Sequence, residues 1–310
     1  MSRVLLFGAS GFVGSRVRAV LEPDSELVCP GRADCDLLTT EVAELTELVH
    51  AARPDAVVNC TGQLTGGGYA MVRAHTLVTA KLVEAVAAGA PRARLVRLGS
   101  AGEYGTVPFG VPIAEDEPAA PVSEYGLSHL AATQLVALAR ATGRVDAVVL
   151  RVFNPIGPGL STENVLGRAA ALLLAARESG VPEIGLGPLG AYRDFVDVRD
   201  VAFAVRAVLH APDSPHLVFN ISSGHAVATR HAVRLLARAA EFAGNVREEA
   251  PNPAASRTAN VPWMCGDNSL ALRVLGWSPA YDLLDSVRDL WDAAVAPVPA
   301  RTPLASGARA

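Results

Sequence analysis

Lysine is nearly missing from this chain of 310 residues: of its 27 basic residues only Lys81 is a lysine, and the rest are arginines. Any chemistry that needs an ammonium group therefore has one candidate. Aromatic residues are also scarce, at 5% against 50% hydrophobic residues overall, so the core has to be aliphatic and alanine-rich. The four cysteines, Cys29, Cys35, Cys60 and Cys265, show neither a CxxC pair nor a Cys/His ligand spacing. That argues against a metal site or a disulfide framework and predicts free thiols in a reducing cytoplasm. No apolar run approaches the ~18 residues of a membrane span, and the leading run at 4–7 is too short for a secretory signal. The net charge of −4, without a basic cluster, argues against a nucleic-acid partner.

What is present is an alternation of short β-branched runs with longer helical ones, the pattern of βαβ units on a parallel sheet. Strands are predicted at 4–7, 26–29, 56–60, 94–98 and 147–153, with helices at 13–21, 42–52, 71–88 and 123–141 between them. A loop rich in Pro, Glu and Asp over 108–121 precedes the last of these helices. Beyond 153 the spacing predicts helices at 165–179, 198–210, 230–242, 270–275 and 283–294, and strands at 192–196 and 217–221. Residues 250–262 read as a proline-rich loop that forms part of a lid, and 297–310 as a disordered tail.

Directly after the first predicted strand comes Gly8-Ala9-Ser10-Gly11-Phe12-Val13-Gly14, which opens a helix. The first glycine of such a turn takes dihedrals that other residues avoid. The second lets backbone approach a pyrophosphate on the helix N-terminus, and the third lets helix and sheet pack closely. Gly8, Ser10, Gly11, Phe12, Val13 and Gly14 are therefore candidate contacts to a dinucleotide. After the second strand the chain reads Cys29-Pro30-Gly31-Arg32. An acid here would bind the adenosine ribose, whereas a guanidinium suits a 2′-phosphate, which favours NADP(H), with NAD(H) as the alternative. Asp36 and Leu37 are placed to bracket the adenine. The fold class expected is α/β: a doubly wound Rossmann sheet over 1–153, to which 190–224 returns. A smaller substrate-binding subdomain is expected from 154–189 and 225–296.

At this point the sequence resembles the extended short-chain dehydrogenase/reductases, the NAD-dependent epimerase/dehydratase group, over about residues 3 to 294. Val57-Val58-Asn59-Cys60-Thr61-Gly62 stands where the family's strand motif lines the cofactor, which implies Thr61 and Gly62 as contacts and Gln63 beside the substrate. Leu98-Gly99-Ser100-Ala101-Gly102-Glu103-Tyr104-Gly105 matches the segment that carries the catalytic hydroxyl, here Ser100, and implies Ala101 and Gly102 as substrate contacts. The resemblance of Arg151-Val152-Phe153-Asn154-Pro155-Ile156-Gly157-Pro158-Gly159 implies Pro155 and Ile156 at the nicotinamide and Asn154 at the substrate. Tyr192-Arg193-Asp194-Phe195-Val196-Asp197-Val198 resembles the segment whose arginine often holds a sugar-nucleotide diphosphate. The segments 220–224 and 275–277 match later landmarks. In many relatives the two helices equivalent to 71–88 and 123–141 form a homodimer interface.

The sequence departs from this family at its reactive end. The family's Tyr-x-x-x-Lys reads Tyr125-Gly126-Leu127-Ser128-His129 here. Residues at i and i+4 share a helix face, so Tyr125 and His129 still point into one site. Lysine, however, is a permanent cation that lowers the phenol's pKa and binds the nicotinamide ribose, whereas histidine is shorter and mostly neutral at pH 7. His75 also stands where the family usually has an asparagine. Ser100, Tyr125 and His129 are the candidate catalytic residues, with His129 also holding the cofactor ribose. Either Tyr125 is the acid, or the substrate's own hydroxyl assists while Tyr125 stands by. The reading favoured by these residues is an NADPH-dependent ketoreductase acting on a secondary-metabolite ketone of the aromatic polyketide type, such as an angucyclinone. The alternatives are a nucleotide-sugar epimerase, dehydratase or 4-ketoreductase, and a silent NAD(P)-binding regulator.

Overall fold

A computed structural model describes residues 1–211, 214–250 and 261–296. Most of the predicted lid over 250–262, and all of the predicted tail over 297–310, lie outside the described residues. In chain order the elements are β1 (Ser2–Phe7), α1 (Phe12–Leu21), β2 (Ser25–Val28), α2 (Val42–Ala52), β3 (Ala56–Asn59) and α3 (Gly68–Met71). A π-helical turn (Val72–Leu77) leads into α4 (Val78–Gly89), then β4 (Arg94–Ser100), a 3-10 turn (Ala101–Glu103), α5 (Glu124–Ala141) and β5 (Asp146–Val152). There follow β6 (Asn154–Ile156), α6 (Val165–Ser179), β7 (Glu183–Leu186), β8 (Tyr192–Asp197), α7 (Val198–His210) and β9 (Val218–Ile221). The last elements are β10 (Ala226–Ala228), α8 (Thr229–Ala239), β11 (Asn245–Glu248), α9 (Ser269–Leu275) and α10 (Leu283–Val295).

Six parallel strands form the main sheet in the order β2-β1-β3-β4-β5-β9. Both faces are apolar because alternate residues of each strand face opposite layers. Val4 and Leu6 of β1 pack toward Val17 and Leu21 of α1 and Val201 and Val205 of α7. Leu5 and Phe7 join Leu45 and Val49 of α2, Leu82 and Val86 of α4 and Val136 of α5. The chain runs outward from β1 to β2 and then returns across β1 to β3. This reversal opens a crevice at the carboxyl ends of β1 and β3, where a doubly wound sheet receives its ligand.

A second core holds Leu166, Leu173, Val233, Leu236, Val287 and Trp291, from α6, α8 and α10. Beside it lie a three-stranded sheet, β10-β8-β6, and the parallel pair β11-β7. The predicted strand at 192–196 therefore pairs with β6 and β10. The edge of the main sheet beside β5 is taken by β9 instead. Strands β6, β7, β10 and β11 were not expected from the sequence; at three or four residues each they are too short to show a period. Among the described residues, no helix is long and apolar enough to cross a membrane. No group of three or more His, Cys, Asp or Glu among them is placed to hold a metal ion. The four cysteines are free.

Candidate active site

The glycine turn after β1 is built as its chemistry requires. Gly8 has φ +79, and a Cβ there would stand 2.9 Å from the Cys60 carbonyl carbon; one on Gly14 would meet the Gly8 oxygen at 1.9 Å. Helix α1 begins at Gly11 with no side-chain cap and no acid in its first turn, so its leading N–H groups suit a pyrophosphate. Ser10 and Gly11 are exposed, and Phe12 and Val13 half-buried. Phe12 lies 3.9 Å from where a methyl on Gly159 would stand, which sets the segment after β6 over the same crevice. Arg32 is exposed in a turn that Asp34 closes by accepting the Gly31 N–H at 2.9 Å. Asp36 accepts the Leu38 N–H at 3.0 Å, and the Leu37 side chain is buried in the core. Lys81, the sole lysine, donates to the carbonyls of Leu37 and Thr40 and so braces this loop.

At the reactive end, Ser100 closes β4. Its Oγ accepts the Gly102 N–H at 3.1 Å, while Glu103 accepts the Ser100 N–H at 3.0 Å, a reciprocal capping box. A hydroxyl that accepts in this way keeps its proton for a further acceptor. Tyr125 sits in the first turn of α5, which Ser123 caps by accepting the Gly126 N–H at 3.1 Å. Gly126 lies so close to the Gly102 backbone that a Cβ would meet the Gly102 oxygen at 2.2 Å. A methyl on Gly102 would stand 3.3 Å from Ser100 Oγ and 3.5 Å from Tyr125 Cδ1, so both face one small space that the glycine keeps open. Ala101 is buried.

The two histidines are ordered by directional hydrogen bonds. The π-helical turn, a device frequent at functional sites, carries buried His75, whose Nε2 accepts the Gln63 N–H at 3.1 Å. The ring proton is therefore on Nδ1 and is donated to Ser128 Oγ at 2.9 Å; Ser128 in turn donates to the Tyr125 carbonyl at 2.8 Å. The His75 ring lies 4.0 Å from that of His129 between centroids, and His129 lies 4.5 Å from Tyr125. His129 Nδ1 is 3.0 Å from Arg97 Nη2. A guanidinium can only donate, so this nitrogen of His129 accepts and the ring proton is on Nε2.

Arg97 was not among the residues singled out from the sequence. It belongs to a buried set with Glu103 and Arg151. Its Nε and Nη1 donate to Thr79 at 3.2 Å and Thr133 at 3.1 Å, and Glu103 bridges to Arg97 at 3.8 Å and to Arg151 at 3.0 Å. Burial pulls the Arg97 guanidinium below the usual arginine range, against the opposing pull of Glu103. The signal available was an arginine at the middle of a strand, between Val96 and Leu98, because a buried charge demands partners.

On the substrate side, Thr61 donates from its N–H and hydroxyl to Asn59 Oδ1 at 3.0 and 2.6 Å, and the Gln63 side chain donates to the Thr65 carbonyl. Gly62 packs beside His75. Asn154 Nδ2 donates to the Asp194 carbonyl at 2.8 Å, and Ile156 turns its side chain into the second core, so from Pro155-Ile156 mainly backbone is left for a nicotinamide. Arg193 is buried, donates to the Tyr192 carbonyl at 2.7 Å, and is pulled down to about 10 by burial. The rings of Phe109, Tyr192 and Trp263 cluster at centroid distances of 5.0 to 5.8 Å, with Phe109 largely exposed. The sequence reading did not anticipate this cluster, since its members lie far apart in the chain. Tyr104 is fully buried, donates to Asn220 at 2.7 Å and is pushed up to about 12 by burial, which makes it structural.

Residues 4–222 match the family model of the NAD dependent epimerase/dehydratase family. The chain is 40% identical over 96% of its length to dTDP-6-deoxy-L-talose 4-dehydrogenase (NAD(P)(+)) of Kitasatospora kifunensis, 97% of which is covered. It is 29% identical over 94% of its length to GDP-6-deoxy-D-mannose reductase of Pseudomonas aeruginosa, 98% of which is covered. Among solved structures it is similar to RMD from Pseudomonas aeruginosa complexed with NADPH, with a TM-score of 0.84 and 27% identity over 95% of this chain and 99% of that one.

Proposed function

The chain belongs to the NAD-dependent epimerase/dehydratase family, and from that premise we propose that it reduces the 4-keto group of a nucleotide-linked deoxyhexose with NADP(H). The observation that carries the reading is the space over Gly102, where Ser100 and Tyr125 converge, in a chain so similar to a dTDP-sugar 4-dehydrogenase. The reduced cofactor, when bound along Gly8–Gly14 with its 2′-phosphate at Arg32, supplies the hydride to the carbonyl carbon. Ser100 donates its hydroxyl proton as a hydrogen bond to the carbonyl oxygen. Tyr125 transfers its phenolic proton to that oxygen as it becomes an alkoxide. His129 presents Nε2–H toward the nicotinamide ribose, and Thr61, Gly62, Pro155 and Ile156 border the rest of the nucleotide. Gln63, Ala101, Gly102, Asn154 and Arg193 face the sugar, with Arg193 nearest its diphosphate, and residues 154–189 and 225–296 form the sugar-binding part.

Reduction is favoured over epimerisation on chemical grounds. Epimerases oxidise first and need a base active near pH 7, whereas a reductase needs proton donors. Ser100, Tyr125 and neutral His129 are donors. The expected aromatic polyketide ketone draws no support from the relatives, whose names are those of nucleotide-sugar enzymes. It rests on the altered Tyr125–His129 pair, and in the structure the Phe109–Tyr192–Trp263 cluster is the feature that suits an aromatic substrate. We further take the enzyme to be a cytoplasmic homodimer. Its interface would run through the helices over 71–88 and 123–141, where Val72, Leu77, Leu127, Leu135 and Leu138 are exposed.

The test is NADPH oxidation with a dTDP-4-keto-6-deoxyhexose beside an angucyclinone ketone. Turnover on the sugar nucleotide supports the proposal. Turnover on the polyketide alone overturns it, and tight NADPH binding without turnover on either favours the regulatory reading.

A further inference from the structure

We propose that Arg97 is a positioning residue of this site: it supplies the fixed positive charge that lysine supplies in relatives and locks His129 as a neutral Nε2–H donor. The inference rests on the reductase reading for its consequence in turnover, but the lock itself does not depend on the substrate.

The geometry makes the case. Arg97 rises from the middle of β4, two residues before Gly99, and its fork is filled. Nε goes to Thr79 of α4, Nη1 to Thr133 of α5, and Nη2 to Nδ1 of His129. Two helices, α4 and α5, therefore fix the guanidinium, and the guanidinium fixes the imidazole. The charged group in contact with His129 is Arg97 on β4, which pairs with Glu103 on the 3-10 turn, and Glu103 pairs in turn with Arg151 on β5. The titratable rings around it are His75 on the π-helical turn and Tyr125 on α5. Two guanidinium ions against one carboxylate leave an excess positive charge buried behind the ring. A proton added at His129 Nδ1 would set an N–H against the Arg97 N–H and a second cation beside the first, so the imidazolium is disfavoured twice over. His129 is consequently not a proton relay through Nδ1. It is a short, oriented donor in front of a permanent cation, two residues on two elements in place of one lysine on α5. The same arrangement accounts for histidine rather than arginine at position 129 in a chain whose other basic residues are almost all arginine. A second guanidinium there would face Arg97 directly.

The lock is read by NMR of the cofactor-free protein with ¹⁵N-labelled histidine, His129 being assigned by loss of its signals in His129→Gln. The expected spectrum shows an unprotonated Nδ1 and a protonated Nε2, unchanged between about pH 8 and 5.5. In Arg97→Met the same ring titrates in the ordinary histidine range near ~6.5. A wild-type His129 that titrates there, or carries its proton on Nδ1, overturns the proposal. Arg97→Lys keeps the charge and guards against a misfolded methionine variant; it is expected to hold His129 neutral.

The charge is read by turnover. Arg97→Met is expected to lose more than tenfold in kcat with little change in KM for NADPH. The double variant Arg97→Met/His129→Lys, which returns a cation to the family's position, is expected to regain most of that loss. Without the regain, Arg97 is only structural and the charge assignment fails. If no substrate turns over, the reductase reading fails while the NMR result still decides the lock.

Discussion

His75 Nδ1 lies 2.9 Å from Ser128 Oγ and joins the π-helical turn to the helix that carries Tyr125. Because the other ring nitrogen accepts the Gln63 N–H, one side chain ties the segment between β3 and α3 to Ser128 and, through it, to the backbone of the tyrosine. His75→Ala strands both partners. The expected cost is about 1–3 kcal/mol, the usual result of leaving buried polar groups unsatisfied, and urea unfolding checks it. Hydrogen exchange at Gln63 should quicken in the same variant. His75→Asn, which can donate and accept at once, should restore part of the loss.

Tyr125→Phe and Ser100→Ala separate the two proton-transfer schemes. If Tyr125 is the acid, Tyr125→Phe loses about 10²- to 10⁴-fold in kcat, the range for removing a general acid. Ser100→Ala also loses turnover, because the carbonyl oxygen loses its donor. Steady-state kinetics with near-wild-type kcat for Tyr125→Phe would leave the substrate's hydroxyl as the proton source.

The proposed 2′-phosphate contact makes Arg32 the test of cofactor choice. Arg32→Ala should raise Kd for NADPH about 10- to 100-fold, as expected for losing ~1.5–3 kcal/mol of hydrogen bonding to a charged group, and leave NADH binding nearly unchanged. Fluorescence titration with both nucleotides measures it; equal losses for the two would remove Arg32 from the 2′-phosphate.

Asp197 gives a pH signature to stability. Burial pushes its carboxyl up, but hydrogen bonds from the Arg199 side chain, Ser286 and the Arg199 backbone outweigh it, so the folded-state pKa lies below the ordinary ~3.9. A carboxylate depressed on folding contributes fully above the unfolded value and loses its contribution as pH falls through the folded one. Asp197→Asn should cost about 2 kcal/mol at neutral pH, and the gap should narrow below about pH 4. Denaturation at pH 7 and pH 3 shows whether it does.

The exposed leucines of α5 test the assembly. Leu127 and Leu138 are 57% and 65% exposed and lie about three helical turns apart on one face. The double change to glutamate should shift the protein from dimer to monomer in sedimentation velocity.

The main sheet and the nucleotide end were legible because they depend on local pattern. Strand runs such as Val4–Phe7, the Gly8–Gly14 turn and the helices that follow each announce themselves within a few residues. The small strands around Asn154 and Glu183 were hidden, because Pro155 and Gly185 give no strand propensity and their pairing partners lie tens of residues away. Tyr125, Ser100 and His129 were singled out by motif. Arg97 was not, because its meaning lies in four partners drawn from α4, α5 and the 3-10 turn, and strand periodicity shows only one residue at a time. The resemblance that located the missing lysine also drew attention to position 129 rather than to the strand behind it. The choice between a polyketide and a keto-sugar was not legible for a related reason: nothing local distinguishes a keto-sugar from any other ketone over Gly102.

The most direct test of the account is to follow the hydride. With NADPH deuterated at the transferable position and a dTDP-4-keto-6-deoxyhexose as substrate, the reductase reading predicts one deuterium at C4 of the sugar product for each NADPH consumed, read by NMR and mass spectrometry. A product epimerised without deuterium or net loss of NADPH, or no reaction with the sugar nucleotide, would contradict it.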